Sequence, residues 1–166
     1  MGTPVVDGNT DERVRSSSEL QIIEPAIARD EVASTGRVGA IAYPYLVYEA
    51  VATMERPYLD ARTREYVVSL DRSRRLPLRA DQLPDTETRT VDDVLVLPSE
   101  VTPAQAAEMA RKAVFTWTLR KYSLNEAPDI SLSEPVDVYK VFWLVERPDG
   151  DVIVDSVRGE ERPLEE

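Results

Sequence analysis

Two runs of β-branched and aromatic residues constrain this chain more than any other feature. Residues 41–51 read IAYPYLVYEAV and residues 136–146 read VDVYKVFWLVE. Such side chains pack well on a pleated surface, so both runs predict strands. The second run is apolar on both faces, which predicts a central strand or one covered by another layer, a second subunit included. Pro44 has no amide to donate and places the start of the first run at a sheet edge or bulge. Pro148-Asp149-Gly150 turns the second run back onto residues 151–155 as a hairpin. Residues 64–71 read as the strand after the first run, with residues 75–78 as a short extension.

The strongest helix signal is Thr102-Pro103-Ala104-Gln105: a threonine cap, proline at the first helical position and glutamine placed to close a capping box. Ala106, Met109, Ala110, Ala113 and Trp117 follow at helical spacing, and the helix is expected to reach about Lys121. A shorter helix is expected over residues 28–34, stopped by Gly36 and Gly39. The two halves then correspond. Ile22-Ile23-Glu24-Pro25 before Ala28-Arg29-Asp30-Glu31 matches Leu95-Val96-Leu97-Pro98 before Thr102-Pro103-Ala104-Gln105. Residues 43–51 match 139–146, Val67-Val68-Ser69-Leu70-Asp71 matches Val152-Ile153-Val154-Asp155, and Leu76-Pro77-Leu78 matches Arg162-Pro163-Leu164.

Neither half is large enough for a robust core of its own. The expectation is an α+β fold of two tandem helix-plus-antiparallel-strand units, with the helices packed on one face of the sheet. Residues 1–18, polar and without periodicity, are expected to be a flexible leader. The first unit then covers 19–80, a connection 81–93, and the second unit 94–166.

Residues 99–164 resemble a PepSY-type unit. The resemblance is carried by the capped helix, the aromatic strand, the Asp-Gly turn and Val154-Asp155-Ser156-Val157-Arg158-Gly159-Glu160, with its Asp-x-x-x-Gly-Glu spacing. The first unit shares it in part, since Asp71-Arg72-Ser73-Arg74-Arg75 lacks the glycine. What the resemblance implies is a binding or peptidase-regulating role, often outside the cytoplasm, with no catalytic residues to carry over.

Charge and composition then narrow the function. There are 31 acidic against 20 basic residues, a net charge of −11, and lysine stands only at Lys112, Lys121 and Lys140. Excess carboxylate with scarce lysine predicts a protein adapted to concentrated salt, where the Debye length shrinks to about 3 Å at 1 M and self-repulsion costs little. It argues against nucleic acid and anionic membranes as partners. With neither cysteine nor histidine, disulfides, thiol catalysis, histidine triads and the usual transition-metal sites are excluded. No cofactor is expected, while a carboxylate-only site for a hard cation stays open. No run approaches the roughly 20 apolar residues of a membrane span. Residues 1–7 carry neither the basic start nor the apolar stretch of a signal peptide, so a cytoplasmic chain is expected.

Two groups of residues are candidates for contacts. Arg72, Arg74, Arg75 and Arg79 form a basic run suited to an anion or a partner, the plainer reading being a solvated turn paired with Asp71 and Asp81. Tyr43, Tyr45, Tyr48, Phe142 and Trp143 are either core or an interface, with Tyr48 on the face opposite Tyr43 and Tyr45. Among Glu49, Glu55, Asp71, Asp137, Glu146 and Asp155 nothing singles out an acid–base pair, and no phosphate loop, dinucleotide fingerprint or nucleophile elbow is present. The leading expectation is a non-catalytic binding or interaction module whose partner is protein, itself or another chain. Its rivals are a small carboxylate-based hydrolase or ligand-binding protein with a site between the units, and an arginine-centred nucleotide or RNA accessory protein. Salt dependence is directly testable: circular dichroism is expected to show the folded chain above about 1 M KCl and progressive unfolding on dilution of the salt.

Overall fold

A computed structural model describes residues 14–32, 36–124 and 126–163. The chain is sheet-dominated, 54% strand and 15% helical, with a single α-helix among the described residues. Tandem helix-plus-strand units, and with them an α+β fold of repeated halves, do not form. The reason lies in residues 28–34. The described part, residues 28–32, holds a 3-10 turn, Arg29–Glu31, because Ala28 stands at the cap position without a side-chain acceptor and Val32 is already extended. Ala33 and Ser34 lie outside the described residues, as do residues 1–13 of the expected leader. No helix among the described residues is long and apolar enough to cross a membrane.

In chain order the elements are β1 (Val14–Ile23), β2 (Val38–Arg56), β3 (Leu59–Asp71), β4 (Leu76–Ala80), β5 (Thr86–Val96), α1 (Pro103–Lys121), β6 (Asp129–Leu132), β7 (Val136–Val145), β8 (Val152–Asp155) and β9 (Glu161–Pro163). They divide into two compact units that interleave along the sequence. One holds the described residues through Pro44, Pro84–Pro98 and those from Val138 onward; the other holds Tyr45–Leu83 and Ser99–Asp137.

In the first unit β1 runs antiparallel to β5, from Val14 opposite Leu95 to Ile23 opposite Thr86. Val14–Ser18, part of the expected leader, is therefore strand. The start of β2 lies parallel to β5, Ala40 to Ala42 beside Val94 to Val96, and β8 and β9 follow β7 as an antiparallel meander. Alternation sorts the side chains: Leu20, Ile22, Ala40, Val94, Val141, Trp143 and Val145 are buried together on one face. Ile41, Phe142 and Ile153 gather on the other.

The second unit begins at Tyr45, next to Pro44. Pairing with β5 ends at Ala42 and pairing with β3 starts at Tyr45, so the residue without an amide falls where the partner changes. Its strands run in the order β4–β3–β2–β6, all antiparallel. The capping signal forms α1 as its chemistry requires: Gln105 N donates to Thr102 Oγ1 at 3.1 Å and Thr102 N donates to Gln105 Oε1 at 2.9 Å. Small residues Ala106 and Ala110 let the helix lie close to the sheet. With Val114 they pack on Leu46, Tyr48, Ala50, Val68 and Leu70.

Each unit ends a strand on a buried aspartate that caps the following turn. Asp71 is fully buried; its Oδ1 accepts from the amides of Ser73 and Arg74, both at 3.0 Å, and its Oδ2 takes the Arg74 guanidinium. Asp155 Oδ1 accepts from Val157 at 2.9 Å and Arg158 at 3.0 Å, and Lys140 Nζ lies 3.0 Å from its Oδ2. Burial pushes the Asp155 carboxyl up, but these amides and the ammonium outweigh it and hold the group below its ordinary value. The Asp-x-x-x-Gly-Glu stretch is thus a strand-end turn, closed by Gly159 N donating to Asp155 O at 2.7 Å. Gly159 sits at φ +78, where a Cβ would meet Ile27 Cδ1 at 2.7 Å. Gly159→Ala is expected to lower stability by about 1–3 kcal/mol, read by chemical denaturation at fixed salt.

Candidate functional site

The four arginines of the basic run do not converge. Strand alternation and the Asp71 turn send each to a different neighbour. Arg74 Nε is bound to Asp71 and its Nη2 lies 3.4 Å from the Tyr45 hydroxyl. Arg75 Nη1 donates to the Glu100 carbonyl at 3.0 Å. The Arg79 guanidinium stacks 5.1 Å from the centre of the Tyr66 ring. Arg72 alone of the four enters the cleft described below. The aromatic candidates are held within their own units. Tyr43 meets Phe142 edge-on at 4.9 Å, and Trp143 is core, its Nε1 donating to the Ile27 carbonyl at 2.8 Å. Tyr45, Tyr48, Phe142 and Trp143 are all buried.

A cleft of about 510 Å³ opens beside α1 in the second unit. Leu46 and Tyr48 of β2 line it, with Pro103, Ala107 and Arg111 from the helix, Leu132–Pro135 from the end of β6, Asp137 and Arg72. The helical residues stand four apart and form one stripe along α1, next to the buried alanines. Ser133 anchors the rim: its Oγ accepts from Glu49 N at 2.9 Å and donates to the Glu134 carbonyl at 3.1 Å.

Three side chains give this cleft its chemistry. The Arg72 side chain is 16% exposed, with Nε donating to Ser99 Oγ at 3.1 Å and Nη1 to Asp137 Oδ1 at 3.4 Å. That last bond is long and its acceptor is 72% exposed, so it holds the guanidinium weakly. Arg111 Nη1 donates to the Ile130 carbonyl at 2.9 Å, which fixes its guanidinium at the mouth. Tyr48 is 2% exposed, yet its hydroxyl has no hydrogen-bond partner among the described residues. The hydroxyl is not among the side-chain atoms that are shut off from solvent without a partner, so it meets the open space of the cleft. Burial pushes the Tyr48 phenol above its ordinary value, while the Arg72 charge pulls the other way.

Tyr48, Arg72 and Arg111 thus line one cleft together with apolar side chains. Among the described residues no group of three or more acids is placed to hold a metal ion. Sequence reading missed the two features that matter here. Arg111 carries no local signal beyond its place four residues after Ala107, and the lone state of the Tyr48 hydroxyl is a tertiary fact. No protein-family model, no curated protein and no solved structure matches the chain.

Tyr48 and Tyr122 are displaced in opposite directions. Hydrogen bonding from Arg64 holds the Tyr122 phenol below its ordinary value, against the effect of desolvation. In an absorbance titration of tyrosinate, Tyr48→Phe is expected to remove a component above the ordinary phenol range and Tyr122→Phe one below it. Because the folded state holds the Tyr48 proton more tightly than the unfolded chain, Tyr48 contributes falling stability as pH rises past about 10, and Tyr48→Phe flattens that fall.

Proposed function

We propose that this chain is a non-catalytic binding module whose ligand is a small organic anion: a carboxylate on an apolar body, seated between α1 and β2. The observation that supports the reading is the Tyr48 hydroxyl, which makes no hydrogen bond to another described residue and lines the cleft together with Arg72. An anion oxygen accepts from the phenol and from Arg72 together, and charge-assisted bonds of this kind are about twice as strong as neutral ones. The low-dielectric floor formed by Leu46 and the neighbouring Ala107 and Leu132 strengthens them further and receives the apolar body. The cleft's donors favour binding over hydrolysis, since its one aliphatic hydroxyl, Ser133 Oγ, already accepts an amide and donates to a carbonyl. An acidic, salt-adapted chain suits such a site. At high ionic strength the net charge of −11 repels the ligand only at short range, and contact chemistry decides affinity.

Isothermal titration at molar salt with hexanoate, hexan-1-ol and inorganic phosphate tests this. Hexanoate is expected to bind saturably and the alcohol not at all. Tyr48→Phe, which leaves no buried hydroxyl behind, is expected to keep the fold and weaken hexanoate about tenfold or more. Equal binding of hexanoate to wild type and Tyr48→Phe, or of hexanol and hexanoate to the wild type, contradicts the proposal; phosphate binding tighter than hexanoate does so as well.

A further inference from the structure

Strand alternation gathers cations on one face of β3. Arg62, Arg64 and Tyr66 are successive positions of that face, opposite Met54, Ala52 and Ala50 of β2, and Arg79 joins them from β4 opposite Val68. It is the face under the helix, since Ala50, Tyr66 and Val68 share one core with Ala110 and Val114 of α1. Glu65, between Arg64 and Tyr66 in sequence, falls on the other face opposite Val51. Alternation thus separates the acid from the arginines.

Two tyrosines hold the guanidiniums in order. Arg62 lies 4.9 Å from the centre of the Tyr122 ring, and Arg64 Nη1 donates to the Tyr122 hydroxyl at 3.0 Å. Arg64 also lies 5.4 Å from the centre of the Tyr66 ring, and Arg79 lies 5.1 Å from it. The row therefore runs Arg62, Tyr122, Arg64, Tyr66, Arg79. The end of α1 fixes both tyrosines: Tyr122 N donates to the Thr118 carbonyl at 3.0 Å, and the Tyr66 hydroxyl accepts from Thr118 Oγ1 at 3.3 Å. The Arg62 and Lys121 charges also reach Tyr122, adding to the Arg64 hydrogen bond that lowers its phenol.

The chain carries 31 acids against 20 bases, yet Arg62, Arg64, Arg79 and Lys121 form no ion pair with another described residue. Stacking on a ring leaves the full positive charge and most N–H edges of a guanidinium unspent. The result is a positive row on a negative molecule, placed in advance, so that less side-chain freedom is lost when an anion arrives.

From this we infer that the row binds a linear inorganic polyphosphate chain. Each guanidinium presents paired N–H groups to phosphate oxygens, and one chain reaches successive arginines, Arg62 and Arg64 standing about 7 Å apart along β3. Linked phosphates bind together where a single phosphate makes one contact. A single-stranded nucleic acid fits less well: the Tyr66 ring is buried and Arg62 already covers Tyr122, so the row lacks the open rings on which bases stack. The inference is independent of the Tyr48 cleft, since the row shares no residue with its lining.

The test uses the Tyr48→Phe chain at molar salt, where contact bonds outlast screening. Isothermal titration compares orthophosphate, tripolyphosphate, a polyphosphate of about fifteen units and an oligothymidylate of the same length. The long polyphosphate is expected to bind saturably and orthophosphate at least tenfold more weakly, with tripolyphosphate between them. Arg62→Gln and Arg79→Gln, at the exposed ends of the row, are each expected to weaken the long chain about tenfold with an unchanged circular dichroism spectrum. Three results overturn the inference: no binding of the long polyphosphate, orthophosphate or the oligonucleotide binding as tightly, or polyphosphate binding that neither substitution alters.

Discussion

Asp71 sets the terms for the second unit. A carboxylate with no exposure must have every lone pair answered from within, or its burial costs several kcal/mol. The chain answers with its own next three residues: the amides of Ser73 and Arg74 meet one oxygen and the Arg74 guanidinium meets the other. This local closure decides which arginine does what. Arg74 is consumed and points back at its own strand end. Arg75, driven to φ +58 by the tight turn, reaches the Glu100 carbonyl. Arg72, directly after the aspartate, is left to enter the cleft under α1, steadied by Ser99. The same device recurs with Asp155 in the first unit, where Lys140 stands in for the second-oxygen partner.

Where the fold follows local rules, it was legible. The Thr102–Gln105 box is a property of four adjacent residues, and the helix begins there. The turn at Pro148-Asp149-Gly150 joins β7 to β8, and Gly150 takes a positive φ of 129 that glycine tolerates. Pro44 reads as the sign of a sheet edge or bulge, but it lies inside β2, which runs between β5 and β3, at the place where the pairing partner changes. The failures share one cause, which is that strand pairing is non-local. Ser16-Ser17-Ser18 reads as leader because its side chains are polar, yet what makes it a strand is the backbone of β5, more than 70 residues downstream, with Ser17 opposite Asp92 and Ser18 opposite Val91. Residues 28–34 read as a helix, but Ala28 offers no capping oxygen, and in the described part, 28–32, a single turn fixes too many dihedrals for one hydrogen bond to propagate.

The candidate sites divide in the same way. Alternation along β2 puts Tyr48 with Leu46 and Ala50 on the side that packs under α1, and that much is readable. That its hydroxyl finds no acceptor while Arg72 approaches depends on a helix 55 residues away in sequence and on the loop after Leu132. The basic run failed as a cluster for a similar reason: adjacent residues at a turn diverge, and proximity in sequence says little about where guanidiniums end. Arginines that do share a ring, Arg64 and Arg79, come from different strands and are brought together by the β3–β4 register.

The central claim is that the Tyr48 hydroxyl awaits an acceptor from a bound anion. Carbon-13 NMR of chain labelled at the tyrosine ζ carbon, titrated with hexanoate, reads that hydroxyl directly, with the resonance assigned through the Tyr48→Phe chain. The account predicts a saturable shift of the Tyr48 signal while the other tyrosines stay in place. A Tyr48 resonance that does not move while hexanoate binds would contradict it.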